Sequence, residues 1–322
     1  MSKNNITINE LVNIESNYHL GVKARDCASR MKIGKDKAYR YYKNFEEGKS
    51  VQEIYSQYQE NKRKCGRTKL VLSEAKLLEI NVRLDNDWSL DAIAGRDKLE
   101  KAPERYSTSK LYNLANEGVI DKHKLRRKGL RKWTHKNETR GKINVCNTIG
   151  QRDEKYPEIA DKKTFGHFEG DTIVGKERKS AVVTLAERLS KYIVLLKASR
   201  KSIEVETAVI KWSNNIKKGK VKTVTFDRGK EFARWKEIEE ATSLEIYFGD
   251  PGSPGQRGLN ENSNGIVRKD LPKGEDLSKY SQEELNKIAD KWNNIPRKIL
   301  KYKTPSEVLK LHTGLDTILL HN

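Results

Sequence analysis

Three residues combine a type and a spacing that could do chemistry: Asp171, Asp227 and Glu261. Asp171 closes the run His167-Phe168-Glu169-Gly170-Asp171, and Asp227 ends the run Val224-Thr225-Phe226-Asp227. Glu261 follows Arg257-Gly258-Leu259-Asn260. Each has a structural reading as well. An Asp at a strand end is often a turn or cap residue, and a Glu in a first helical turn answers the helix dipole. Brought together, the three would repel and raise one another's pKa values. Two Mg²⁺ ions, with Mn²⁺ as a substitute, remove that repulsion and need only oxygen ligands. Such a site supports in-line displacement at a phosphodiester, with no covalent protein intermediate and no small-molecule cofactor.

The elements that must position these acids lie between Thr164 and about Lys269. The pattern predicts a strand over Thr164–Val174, then a hairpin of Val182–Leu185 and Tyr192–Lys197 turning at Glu187-Arg188-Leu189-Ser190. A helix over Ile203–Ile216, a strand over Lys222–Phe226, a helix over Glu231–Thr242 and a strand over Leu244–Phe248 follow. Pro251, Pro254 and their neighbouring glycines then mark a loop, with Asp250 as its turn residue, and a helix begins near Leu259. This is the element order of a ribonuclease-H-like fold with a five-stranded mixed sheet, in which the first and fourth strands are central neighbours. Their acids then reach one edge, and the helix after the fifth strand brings the third. His167 and Glu169 alternate with Asp171 on one strand face, where each either backs the acids or touches DNA.

The chain has 322 residues and a formal charge of +20. A charge of that size selects a polyanionic partner, nucleic acid foremost. The alternative is a basic but inert surface. Residues 1–163 hold 36 Lys/Arg against 23 Asp/Glu, so the front half is the more basic. Lys62, Arg63, Lys64, Arg67 and Lys69 form one knot, and a second between Lys122 and Lys142 includes Arg126, Arg127, Lys128, Arg131 and Lys132. Such blocks suit arms that track phosphates; a solvated helix face is the plain alternative, weakened by Gly66, Gly129 and Gly141. The three cysteines form no CxxC pair, which argues against a zinc ribbon or a disulfide frame and for a reducing, cytoplasmic setting. No apolar run is long enough to span a membrane, and no signal-like segment opens the chain.

The front half reads as helical. Thr7 and Glu10 have capping-box spacing, with Leu11, Ile14 and Tyr18 on one face. Ala28 allows close approach, Met31 and Ile33 bracket a turn, and Ala38 and Tyr39 begin the next buried stripe. The stretch resembles a bacterial helix-turn-helix. Lys35, Asp36, Lys37 and Arg40 then face outward, with the basic three as DNA contacts. A plain helical hairpin is the alternative. Ser73, either Ser89 or Asp91, and Ser107 each suit a helix N-cap, and Gly118 a C-terminal turn. This second unit presents Lys110, Asn113 and Asn116.

Three blocks carry a more specific resemblance: His167-Phe168-Glu169-Gly170-Asp171, Phe226-Asp227-Arg228-Gly229-Lys230-Glu231-Phe232, and Arg257-Gly258-Leu259-Asn260-Glu261-Asn262-Ser263-Asn264-Gly265. Thirty-three residues separate Asp227 from Glu261, and Pro272-Lys273-Gly274 follows. These blocks are similar to those of the bacterial insertion-sequence DDE transposases of the family numbered thirty, relatives of retroviral integrases. The resemblance covers about Thr164 to Leu309. Phe168, Gly252 and Gly255 depart from it, standing where the family favours Trp and bulky aromatics. It implies Asp171, Asp227 and Glu261 as catalytic metal ligands and a circular or head-to-tail joined intermediate. Lys230, Arg257, Asn260, Asn262 and Asn264 are candidate DNA contacts around them.

The expected organisation is a multidomain chain, all-α helix-turn-helix units followed by an α/β catalytic domain. Residues 1–55 form the first DNA-binding unit, 56–72 a basic linker and 73–120 the second helical unit. Residues 121–163 form a second linker, 164–275 the catalytic core and 276–322 C-terminal helices. The partners are double-stranded DNA, as inverted-repeat ends and target, and at least one further copy of the chain to pair two ends. Two other function classes fit the same elements: a structure-selective nuclease, and a non-catalytic DNA-binding regulator.

Overall fold

A computed structural model describes residues 5–64, 72–125, 143, 147–159, 164–251 and 253–314. The chain divides into two compact units, Met1–Leu72 and Ser73–Asn322.

The first unit is helical: α1 (Ile8–His19), α2 (Ala24–Met31), α3 (Lys35–Glu46) and α4 (Val51–Lys64). Thr7 and Glu10 form the expected capping box on α1. Leu11, Ile14, Cys27, Tyr41, Tyr42 and Phe45 are among the side chains that close its core. A tight turn joins α2 to α3. Lys32 takes a left-handed φ of 52°, and the Ile33 N–H reaches back to the Ala28 carbonyl at 3.0 Å. One expectation fails here. Tyr39 is 57% exposed, and the buried stripe of α3 runs through Ala38, Tyr41, Tyr42 and Phe45. Those positions follow the i, i+3, i+4, i+7 spacing of one helix face, and residue 39 falls off it.

The second unit opens with α5 (Glu74–Asp85), α6 (Leu90–Leu99) and α7 (Thr108–Asn116), capped by Ser73, Ser89 and Ser107 as their spacing suggests. Gly118 has the positive φ of 83° that its place after α7 calls for. Asp97 is buried between Lys76 and Arg83, at 2.7 and 2.6 Å. Further on, α8 (Ile149–Lys155) lies inside the segment read as linker. Its Thr148/Gln151 capping box escaped notice among the surrounding charge. Asn147 covers the sheet edge there, its carbonyl accepting from Phe248 N at 3.0 Å and its amide donating to Ile246 O at 3.0 Å.

The sheet comprises β1 (His167–Val174), β2 (Ser180–Glu187), β3 (Ile193–Ser199), β4 (Thr223–Phe226) and β5 (Glu245–Phe248), in the order β3-β2-β1-β4-β5. The first three strands are mutually antiparallel, and β4 and β5 add on parallel to β1. Between and after them lie α9 (Ser202–Asn214), α10 (Trp235–Ala241), α11 (Gly258–Val267), α12 (Gln282–Asn293) and α13 (Pro305–Thr313).

Residue parity sorts the sheet's two faces. Phe168, Val183, Leu185, Val194 and Leu196 pack with α9 and α10, whereas Ile173, Val182, Ile193 and Leu195 pack with α11 and α12. Both faces are covered, so β2 is buried along its whole length. Asp171 shares the parity of Ile173 and therefore faces α11.

Several boundaries differ from expectation, among them that of α4, which runs on to Lys64 inside the segment 56–72 read as a linker. The first strand begins at His167, three residues later than Thr164, because Gly166 turns the chain with a φ of 108°. The helix expected from Glu231 starts only at Trp235. Phe232 instead folds into the core and stacks on Phe226 at 4.1 Å between ring centroids. That stack lies across Gly170, where any Cβ would meet the Phe226 ring at 2.2 Å.

Candidate active site

Strand register determines where the first two acids emerge. Glu169 pairs with Thr225 across the parallel β1–β4 ladder. Asp171 lies two residues beyond Glu169, and Asp227 two residues beyond Thr225. Parallel strands advance in step, so both carboxylates leave the sheet at one level.

Their charges interact. Burial, and next the charge of Asp227, push the Asp171 carboxyl up to about 6. Arg257 and the Thr172 N–H pull the other way, the latter donating to Asp171 Oδ1 at 2.8 Å. Asp227 is 28% exposed, accepts from Gly229 N at 3.0 Å and faces the Arg257 guanidinium at 3.6 Å. Arg257, a candidate phosphate contact, thus lies against an acid of the candidate site.

Glu261 lies in the first turn of α11, on its exposed side. Asn264, three residues on and hence on the same face, donates from Nδ2 to Asp171 Oδ2 at 2.9 Å. Among the described residues, no three His, Cys, Asp or Glu side chains already converge as a metal cage. The donors nevertheless suit a divalent cation in kind. They are carboxylate oxygens, and the pair Asp171/Asp227 carries a mutual repulsion that a cation would relieve.

A fourth carboxylate went unassigned in the sequence. Glu231 accepts from Thr172 Oγ1 at 3.2 Å and adds to the negative field on Asp171. Its position four residues after Asp227, in the same block, was the available signal.

The other candidates divide by exposure. His167 is 1% exposed, with Nδ1 2.9 Å from Thr223 Oγ1, and burial lowers its pKa to about 4. It is a neutral interior group, not a DNA contact. Glu169 is 4% exposed and sits by Arg188 at 3.8 Å. Asn260, expected to touch DNA, is buried, and its side-chain amide has no hydrogen-bond partner among the described residues. It lies on the sheet side of α11, about 100° around the helix from Glu261. Lys230 is exposed beside Asp227, and Asn262 is exposed at a groove of about 200 Å³ bounded by Trp292, Ile295 and Ile299. Asp250 closes its turn through Gln256, as a turn residue should.

In the front half, Lys35, Arg40, Lys62, Arg63, Lys64 and Asn113 are exposed, and Lys37 and Lys110 partly so. Arg67, Arg126, Arg127, Lys128, Arg131 and Lys132 lie outside the described residues. No described helix is long and apolar enough to cross a membrane.

No family model matches the chain. It is 32% identical over 321 residues to the transposase for insertion sequence element IS4351 of Bacteroides fragilis, covering 96% of each chain. It is 36% identical over 249 residues to the transposase InsI for insertion sequence element IS30C of Escherichia coli K12, covering 72% of this chain and 64% of that one. The match to the Escherichia coli protein therefore spans less than two thirds of its length. A third relative, the transposase for IS1086 of Cupriavidus metallidurans, is 44% identical over 156 residues, 48% of this chain and 45% of its own.

Proposed function

The chain belongs to the bacterial IS30 family of insertion-sequence transposases, and from that premise we propose that it cuts and joins DNA at the ends of its own element. The sheet order, with two acids leaving adjacent parallel strands, supports a ribonuclease-H-like catalytic core. Asp171, Asp227 and Glu261 would hold two divalent cations, Mg²⁺ or Mn²⁺. When bound, such ions activate the attacking oxygen and stabilise the leaving 3′-oxygen of an in-line displacement. The observation that carries this reading is geometric: Asp171 and Asp227 leave adjacent parallel strands at one level, two residues beyond the paired Glu169 and Thr225. Burial and the charge of Asp227 raise the Asp171 carboxyl, and a shared divalent cation would relieve that repulsion.

The protein's own groups do the rest. Asn264 holds one oxygen of Asp171, leaving the orientation of that carboxylate defined. Arg257 screens Asp227, and as DNA docks its guanidinium would exchange that carboxylate for a phosphate oxygen. The turn between α2 and α3 supports a helix-turn-helix reading, with Lys35, Lys37 and Arg40 toward the inverted repeats. Lys110 and Asn113 of α7 serve a second contact. Pairing two ends calls for a dimer or larger assembly on DNA.

The test is cleavage and joining of a labelled duplex taken from the DNA flanking the gene, with Mg²⁺ or Mn²⁺. Wild type should nick at the element end and give joined product, while Asp227→Ala binds and does neither. Cutting of any branched duplex without joining would favour a nuclease. Binding without cutting under either metal would favour a regulator.

A further inference from the structure

Helix α11 has no capping side chain of its own, since Arg257 at its N-cap makes no bond to the first turn. The leading N–H groups of such a helix lack partners inside it. One of them, on Asn260, donates to Glu169 Oε2 at 3.2 Å. Glu169 belongs to β1 and is almost fully buried, with its other carboxylate oxygen toward Arg188. Two residues along the strand, Asp171 receives Asn264 at 2.9 Å.

These two contacts are in register. Two strand residues advance about 6.7 Å, and four helical residues about 6 Å. Strand and helix therefore run side by side in one direction, residue 169 opposite 260 and 171 opposite 264. A single rung would let α11 pivot about the contact. Two rungs set both its height along β1 and its rotation.

We propose that Glu169 is a positioning residue: a cap lent by the strand, whose carboxylate anchors the first turn of α11 and so brings Glu261 to the level of Asp171 and Asp227. A carboxylate also suits that place because it answers the positive end of the helix dipole. The cap stands on geometry alone; its consequence for cutting rests on the transposase reading.

The experiment compares the full chain as wild type, Glu169→Ala, Glu169→Gln and Glu169→Asp. Amide hydrogen exchange over Asn260–Asn264 needs no DNA. Ala removes the acceptor and should speed exchange there about tenfold, the equivalent of one hydrogen bond. Gln keeps a carbonyl acceptor and should stay within about threefold of wild type. Asp keeps the charge but falls short of Asn260, so it should resemble Ala even if Ala itself fails to fold. Element-end cleavage should follow the same order, with kcat lowered about tenfold or more in Ala and Asp, duplex affinity unchanged, and most of the loss recovered in Gln. Unchanged exchange in Ala or Asp overturns the cap. Protected exchange in Gln with cleavage as poor as in Ala overturns it too, and moves Glu169 to the reacting atoms. If wild type cuts no DNA, the transposase reading fails while the exchange data still decide the cap.

Discussion

Asn264 Nδ2 donates to Asp171 Oδ2 at 2.9 Å, and this bond ties the helix that carries Glu261 to the strand that carries Asp171. Removing it leaves a partly buried carboxylate one donor short. Asn264→Ala should slow cleavage by roughly tenfold to a hundredfold, the range for a hydrogen bond to a charged group. Asn264→Asp places a like charge on Asp171 and should be worse than Ala. Initial cleavage rates on the element-end duplex decide it; equal rates for Asp and Ala would show that the bond does not bear on Asp171.

Asp171 and Asp227 should act as one unit. Asp171→Asn and Asp227→Asn should each lower the cleavage rate about a thousandfold or more, and the double variant should be little worse than either, because groups acting together are not additive. Duplex affinity, read by gel shift, should hold or rise, since each change removes negative charge near phosphate. Additive losses in the double variant would separate the two acids.

His167 makes stability depend on pH. Its folded pKa is lowered to about 4 by burial, against about 6.5 in an unfolded chain. Between those values the unfolded state binds the extra proton, so stability is full above pH 6.5 and falls as the pH drops toward 4. The His167 share of that loss is about 3 kcal/mol. Urea midpoints of wild type and His167→Gln at pH 7 and pH 4.5 measure it: the variant's own fall should be smaller. Parallel curves would mean that His167 is protonated in the fold.

Gly95 is required by the ring of Tyr302, which a Cβ at that position would meet at 2.2 Å or less. Gly95→Ala should cost about 1–3 kcal/mol through overpacking and lower the Tm by several degrees. Tyr302→Ala opens the space, so the double variant should lose less than the sum of the singles. Strict additivity in thermal melts would place the two residues out of contact.

Lys35 and Arg40 are exposed on α3. If they meet phosphates, each Ala variant should reduce the salt slope of duplex binding by about 1. An unchanged slope in both would remove α3 from the DNA interface.

What was legible in the sequence was local. Thr7/Glu10 announces its helix because both halves of a capping box lie three residues apart, and Ser73 and Ser107 announce theirs as N-caps. The unbroken, β-branched run Val182-Val183-Thr184-Leu185 announces a strand because both of its faces are covered. Asp227 stood out because it follows the strand run Val224-Thr225-Phe226, and Asp171 because it closes the block His167-Phe168-Glu169-Gly170. What stayed hidden depends on packing between distant residues. Nothing near Phe232 says that it leaves the helix to stack on Phe226. Glu231 reads as one more surface acid until Thr172 is seen beside it. Asn260 reads as a DNA contact until α11 is rotated by its two rungs to β1, which turns that side chain inward.

Arg96 donates to both carboxylate oxygens of Glu307, at 2.7 and 2.6 Å, across 211 residues of chain. Beside it, Tyr302 covers Gly95, and its hydroxyl reaches Asp91 at 3.3 Å. The face of helix α6 that carries Asp91, Gly95 and Arg96 therefore has no cover until Tyr302 and Glu307 have left the ribosome. A chain is made from its front, and contacts this distant in sequence wait on loop closure. The helices from 74 to 116 are among the first parts of this unit to be synthesised and can pack on one another at once, but this one face of α6 waits for the last. A nascent chain stopped short of residue 302 carries every one of the candidate acids yet lacks the surface on which α6 rests.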